Sequence, residues 1–557
     1  MKTTVDAPGR RSWGSRADAL TRGFRWGAPR VGAAAAAARA AVALGVPALI
    51  GVLTGSIELA VVASVGGLWG VGQDGQDPYR SRVARLGSLG LAAAGGLLAG
   101  ELALRSGHPG AVLVCLVFCA VLAGAVSLRG RVASVAGMHL LLGAVVGGGM
   151  PVPGPWWQAP LALFAGVMLV LALSVAPWLW DRHRIAREAV QAVYRAASRA
   201  LAAAGTPAAG DARRRLADSL DTAQQALGPN TPARLRRSFA LAIRLAEAVT
   251  TLIWEGRPLP VTVTGTPLSL MAGEIRVLPT PFAQDTPGLR ALAGVFEAAG
   301  QEQIDEIPLE PAPHRPPGLA DCLRYALLLG LAVLLTQLLA EALDGPRNYW
   351  LPMTVAFVYK PDLGPVFRRA VHRCLGTVAG VAVIAALALW ITDPYVWLAV
   401  LAVFGAVMAV GVRHHYGVAT AGLTVVVLVL LDLLGDERAL SWPRILDTAL
   451  AAGIVLVLHF ALWPRSAAAT ADDRIRTALA AVQRYRALAP AAGPVRRHVL
   501  RRSAYQQLGA ARRAVALAGH EPALRRPRQD WEPVIATAEK LCDVVTARVL
   551  ASDLVRT

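Results

Sequence analysis

The chain has 557 residues, of which 55% are hydrophobic and 17% charged, with a mean hydropathy of +0.47; a soluble protein of ordinary composition carries about 25% charged residues. The apolar residues gather into two blocks, each long enough for several spans of about 20 residues, so one large soluble core is excluded and a membrane protein is expected. Lys and Arg number 56 against 37 Asp and Glu, a formal charge of +19. Only Lys2, Lys360 and Lys540 are lysines, and this Arg-rich, Ala-rich bias reads as GC-rich genome composition. No basic stretch carries a nucleic-acid-binding motif, so nucleic acid is not expected as a partner. The five cysteines are odd in number and without a CxxC, which supports neither a disulfide framework nor a zinc site.

In chain order, residues 1–30 form a basic N-terminus with Arg10, Arg11, Arg16, Arg22, Arg25 and Arg30. A first apolar block, 31–180, contains six near-spanning segments at about 31–53, 56–72, 83–104, 110–126, 131–150 and 157–180. Its first segment is read as an uncleaved helix and not a signal peptide, because eleven further spans follow. Residues 181–318 are a helical region; within it, the stretch from Pro258 to Pro317 reads as a Pro-rich linker around one helix. The second block, 319–464, gives six more segments at about 319–340, 348–360, 371–391, 394–412, 417–434 and 443–463. The tail, 465–557, reads as two or three helices broken near Pro490 and Pro522.

Translocating Lys and Arg across a bilayer is disfavoured, so the loops that keep them mark the cytoplasmic side. Loops after spans two, four, eight and ten carry ten of them: Arg80, Arg82, Arg85, Arg129, Arg131, Lys360, Arg368, Arg369, Arg373 and Arg413. The opposite loops carry Arg105, Arg347, Arg438 and Arg444, with Asp344, Asp393, Asp436 and Glu437 on the same side. Both termini and 181–318 are therefore expected in the cytoplasm. Arg82 and Arg369 stand 287 residues apart, as do Pro177 and Pro464 at the ends of the sixth spans. The expectation is an all-α protein of twelve transmembrane helices in two parallel six-helix repeats, with a pathway between the halves.

The second span of each block is the most informative segment. Tyr349 to Tyr359 is too short to cross a bilayer as a regular helix. Its counterpart is interrupted by Gly66, Gly67, Gly70, Gly72 and Gly75. Broken helices leave backbone dipoles free to meet a substrate, and in transporters they point to the binding site. The next helix of each block begins with arginines, Arg82 and Arg85 or Arg369 and Arg373, each pair sharing a helix face. Turned inward, four guanidiniums would collect carboxylates at the cytoplasmic mouth; turned outward, they would face lipid phosphates. Tyr349 and Trp350, with Trp69 and Tyr359, could stack on a ring-bearing substrate or sit in an interfacial belt.

Charges within the spans are few. Asp447 is the candidate proton carrier, and the alternative for it is an ion pair with Arg444 three residues earlier. Arg39 either faces a pathway or pairs with Glu58. GVGQDG (Gly70 to Gly75) fits GxGxxG but lacks a βαβ context. Gly66 with Gly70, Gly96 with Gly100, Gly143 with Gly147 and Gly376 with Gly380 read as close helix packing. Cys115 and Cys119 read as packing, and Arg413 to Tyr416 as a polar turn.

YWLPMTVAFVYKPDLGPVFRRAVHRCLGTVAGV (Tyr349 to Val381) resembles the signature of the fusaric acid resistance proteins and aromatic acid exporters: a Tyr-Trp pair, a P-D-x-G turn, then an R…R-x-x-G-T-x-x-G helix. RILDTALAAGIVLVLHFALWPR (Arg444 to Arg465) is similar to that family's final span. The first block lacks the P-D-x-G turn and the Gly-Thr. The resemblance implies a twelve-span inner-membrane exporter of aromatic or other weak organic acids that uses the proton gradient. It also implies likeness to plant aluminium-activated malate channels, whose anion pathway bears arginines.

The functional expectation is export of an organic anion, an aromatic carboxylate, bound by Arg82, Arg85, Arg369, Arg373, Tyr349 and Trp350, with Asp447 carrying the proton. A passive anion channel and an envelope-associated scaffold are the alternatives. No hydrolase, redox or Walker constellation is present, so neither an enzyme nor a cofactor is expected. The partners expected are the small anion and the lipid bilayer, and a homo-oligomer is compatible with the sequence.

Overall fold

The computed structural model describes residues 33–75, 77–108, 110–228, 230–273, 286–300, 318–343, 347, 349–360, 366–435, 441–462, 467–519 and 529–556. Among them every regular element is helical. The first block holds α1 (Ala33–Thr54), α2 (Ile57–Gln73), α3 (Tyr79–Arg105), α4 (Ala111–Ser127), α5 (Arg131–Gly149) and α6 (Gln158–Val175). The second holds α13 (Leu319–Leu343), α14 (Trp350–Val358), α15 (Val366–Ala388), α16 (Pro394–His414), α17 (Tyr416–Asp432) and α18 (Ser441–Leu462). Each of the twelve expected segments is thus helical. Eight helices are long and apolar enough to cross a membrane: α1, α3, α5, α6 with the short 3-10 turn after it, α13, α15, α16 and α18. α2, α4 and α17 have 17 residues each, about 25 Å, and α14 has nine, about 14 Å.

Within the blocks, α3 packs on α5 and α6, α2 on α6, and α15 on α17 and α18. Between them, α1 packs on α16 and α4 on α13, and α5 touches α14 while α2 touches α17. Small residues permit this closeness: a Cβ added to Gly96 would lie 2.0 Å from the Leu140 carbonyl oxygen, and one on Gly143 would lie 2.2 Å from that of Ala93. Arg39, on α1, pairs with Asp74 at the end of α2 (Nε to Oδ2, 3.0 Å) and not with Glu58. The local reason is reach: Asp74 ends a helix packed on α1 at the same level, whereas Glu58 lies four turns away at its other end.

The region after the first block comprises α7 (Arg184–Ala202), α8 (Ala209–Ala226), α9 (Ala233–Glu255), two short helices α10 (Val261–Thr264) and α11 (Thr266–Ala272), and α12 (Pro287–Gly300). The expected linker is therefore more ordered than its composition suggests: α10 and α11 pack on α7, and α12 on α9. Residues 274–285 and 301–317 lie outside the described set. The tail contains α19 (Ala467–Leu488), α20 (Pro494–Ala518) and α21 (Glu532–Arg556). Its first break, at Ala489–Ala491, is a 3-10 turn at Pro490; Pro522 lies outside the described residues, as do residues 1–32, the P-D-x-G turn, Asp344, Asp436, Glu437 and Arg438.

The two outer regions form one helical body. α21 packs on α9 and α12, and α20 approaches α8. Arg213 donates to Glu539 at 2.7 Å and pairs with Asp543 at 3.2 Å, while Arg502 reaches Asp221 at 3.1 Å.

Candidate functional site

The nine-residue α14 is the key to the site because its end leaves carbonyls that no further turn can satisfy. Two neighbours supply the donors. Arg369 Nη1, on α15, donates to the carbonyls of Val358 (2.8 Å) and Lys360 (2.6 Å), and Tyr325 Oη, on α13, donates to that of Tyr359 (2.5 Å). Arg82 acts in the same way in the first block. Its Nε donates to the Asp77 carbonyl at 2.8 Å and its Nη1 to the carbonyl and Oγ of Ser174, at 3.1 and 3.2 Å. Arg85 donates from Nε to the Gln73 carbonyl at 3.0 Å and pairs with Asp77, which also meets Arg131. Burial pushes the Asp77 carboxyl up, but the hydrogen bond and charge of Arg85, with Arg131 and Arg82, outweigh it and hold the group below the usual carboxylate range. Arg82, Arg85 and Arg369 thus turn to the backbone and carboxylates of their own blocks.

Arg373 is placed differently. One turn deeper on α15 than Arg369, it is 1% exposed. Its guanidinium lies over the Phe357 ring, 4.7 Å from the centroid, and its Nε and Nη2 have no hydrogen-bond partner among the described residues. Arg444, near the start of α18, repeats the arrangement. It is 1% exposed, lies 4.7 Å over Trp350, and its Nε and Nη1 have no hydrogen-bond partner among the described residues. Both arginines line one cavity between the two blocks. Its walls are aromatic and aliphatic: Trp69 from α2, Val146 on α5 and Met150 just beyond it, Tyr349, Trp350, Met353 and Phe357 at α14, and Leu423, Val427, Leu430 and Leu431 on α17. The cavity is a tight cleft, with about 50 Å³ open to the centre of a water-sized sphere. No acidic residue lines it among the described residues.

Of the residues singled out from the sequence, Arg373, Tyr349, Trp350 and Trp69 meet at this cavity, and Arg82, Arg85 and Arg369 do not. Tyr349 is held edge-on to Trp350 with ring centroids 6.3 Å apart. Gly149 makes room for it, since an added Cβ would stand 2.3 Å from the Tyr349 Cβ. Tyr359 turns away, onto Tyr325 and His459. Asp447 is half-buried outside the cavity lining, and no contact-distance ion pair joins it to Arg444 among the described residues, although the Arg444 charge acts on it. Arg444 and Phe357 had not been singled out as site residues. Arg444 reads as a loop charge because it stands at the edge of an apolar run; the available signal was the spacing of Trp350 and Phe357, which puts two rings on one face of α14.

A burial of this kind has a physical implication. Removing a guanidinium from water costs several kcal/mol unless it is paired, and the aromatic faces return only part of that, about 0.5–2 kcal/mol each. The outstanding N–H groups favour an anion in the cleft.

The known proteins most informative here agree with a membrane chain of this type. Residues 331–458 match the family described as fusaric acid resistance protein-like. That segment of the chain is similar to this family. It runs from α13 to α18 and contains both cavity arginines. The uncharacterized membrane protein YvaC of Bacillus subtilis is 23% identical over 501 residues, 78% of this chain and 74% of that protein. The uncharacterized protein YhfK of Escherichia coli is 32% identical over 153 residues, 27% of this chain and 21% of that one. The inner membrane protein YccS of Escherichia coli is 26% identical over 196 residues, 32% and 27% of the two chains. The chain thus spans about three quarters of YvaC and about a quarter of the other two. No solved structure matches the chain.

Proposed function

We propose that the protein is an inner-membrane transporter that exports organic anions, aromatic carboxylic acids, driven by the proton gradient. In this reading the twelve helices are two parallel six-span repeats, with the outer helical body and both termini in the cytoplasm. The reciprocal packing of α1 on α16 and of α4 on α13 supports the repeat, and the distribution of Lys and Arg supports the orientation.

The observation that carries the proposal is the cleft itself. Two buried guanidiniums with unpartnered N–H groups meet four aromatic rings at the junction of the blocks. A carboxylate satisfies the first feature through charge-assisted hydrogen bonds, and a flat ring suits the second. Arg373 holds the acid group, with Tyr349 and Trp350 against the ring. Arg82, Arg85 and Arg369 contribute by fixing the ends of the second helices. Asp447, one turn from Arg444 and without a contact-distance ion pair among the described residues, carries the proton. Ring entry requires the cleft to widen, and Met150 and Met353, with flexible thioether chains, are suited to yield.

Uptake of labelled benzoate into inverted membrane vesicles tests this. Uptake that needs a proton gradient, falls at least tenfold in Arg373→Gln, and loses its gradient dependence in Asp447→Asn is the expected result. Uptake independent of the gradient would replace the exporter with a passive channel, and no uptake would remove transport altogether.

A further inference from the structure

Resting on the transport reading, the arrangement of Arg373 and Arg444 carries a statement about which anion fits. Their guanidiniums lie over Phe357 and Trp350 respectively, rings seven residues apart on α14. Seven residues are two turns, so the two positions share one helix face, about 10.5 Å apart along the helix axis. Each guanidinium keeps two unpartnered nitrogens, and no carboxylate lines the cleft among the described residues.

We propose that this cleft is built for a dianion: one flat ring bearing two acidic groups at opposite edges. The argument is charge balance in a medium of low dielectric. Two permanent cations share one apolar cavity, since guanidinium stays protonated throughout physiological pH. A monoanion pairs one of them and leaves the other buried and unpaired, which is the costly state. A dianion pairs both. Arg444 becomes the residue that determines specificity, because it answers the second acid group while Arg373 answers the first.

Benzoate and terephthalate present the same ring with one and with two carboxylates, and both are fully ionised at pH 7.5. In inverted vesicles the wild-type chain is expected to carry terephthalate at least tenfold faster than benzoate. Purified protein should also gain more thermal stability from terephthalate. Arg444→Gln and Arg373→Gln should each abolish that preference while the protein stays folded by its melting temperature. Benzoate carried as fast as terephthalate, or faster, overturns the dianion proposal and leaves the transport reading standing. If neither compound is carried or stabilises the protein, both proposals fall. The wild-type comparison decides the matter even where a variant does not fold.

Discussion

Two arginines four residues apart on α15 are expected to answer substitution in opposite ways. Arg369 spends its Nη1 on the carbonyls of Val358 and Lys360, so Arg369→Gln strands buried acceptors at the end of α14. Hydrogen bonds from a charged group contribute about 1.5–3 kcal/mol, and the melting temperature of the detergent-solubilised protein should fall by several degrees. Arg373→Gln removes a guanidinium whose Nε and Nη2 have no hydrogen-bond partner among the described residues. Its melting temperature should hold or rise, because replacing a buried cation that has no carboxylate partner among the described residues relieves desolvation, while anion flux is lost. Equal destabilisation of the two variants would show that Arg373 is a structural residue.

At the scale of elements, α14 is decisive because it is short. Its nine residues put Trp350 and Phe357 on the cavity, and its frayed end recruits Arg369 and Tyr325. Register on the opposite wall depends on Gly149, the last residue of α5. Gly149→Ala places a methyl 2.3 Å from the Tyr349 Cβ, a contact too short to persist, so Tyr349 must move off the cleft. Flux in this variant should drop several-fold with little change in melting temperature, and normal flux would remove Tyr349 from the site. The glycine contacts of α3 with α5 are of another kind. There the obstacle is backbone, as at Gly96 against the Leu140 carbonyl, which makes this helix pair a fixed wall of the first block.

For the whole molecule, the ion pairs between α8 and α21 link the region after the first block to the tail, so the two blocks are tied outside the apolar core as well as within it. His498 reports on the integrity of this body. It is buried, and neither ring nitrogen has a hydrogen-bond partner among the described residues. Burial first, then the charges of Arg501 and Arg502, push its pKa down to about 3. With a folded value below the unfolded one of about 6.5, folding resists protonation. This contribution to stability is intact above pH 6.5 and shrinks as pH falls toward 3. At pH 5.5 the loss is on the order of 1.4 kcal/mol. The melting temperature should therefore drop between pH 7.5 and pH 5.5, and His498→Leu should flatten that drop. An unchanged pH profile in the variant would mean that His498 is protonated in the fold. Asp543 acts in the opposite sense: burial raises it to about 6 against the pull of Arg213, so its proton favours the fold as pH falls.

By itself, the sequence determined the all-helical membrane character, the place of every apolar segment and the brevity of the second span in the later block, because hydropathy and length are local quantities. It also singled out the residues Arg373, Tyr349 and Trp350, and the glycines that bring helices together. Tertiary structure decided which arginines keep N–H groups without a partner among the described residues. Arg82, Arg369 and Arg373 look alike in a list of basic residues at a helix start, yet the first two meet freed carbonyls and the third meets a ring. Arg444 belongs beside Arg373 although 71 residues separate their positions. A guanidinium is distinguished by what happens to lie within hydrogen-bond reach, and that depends on how α14, α15 and α18 pack, not on the spacing of residues along the chain.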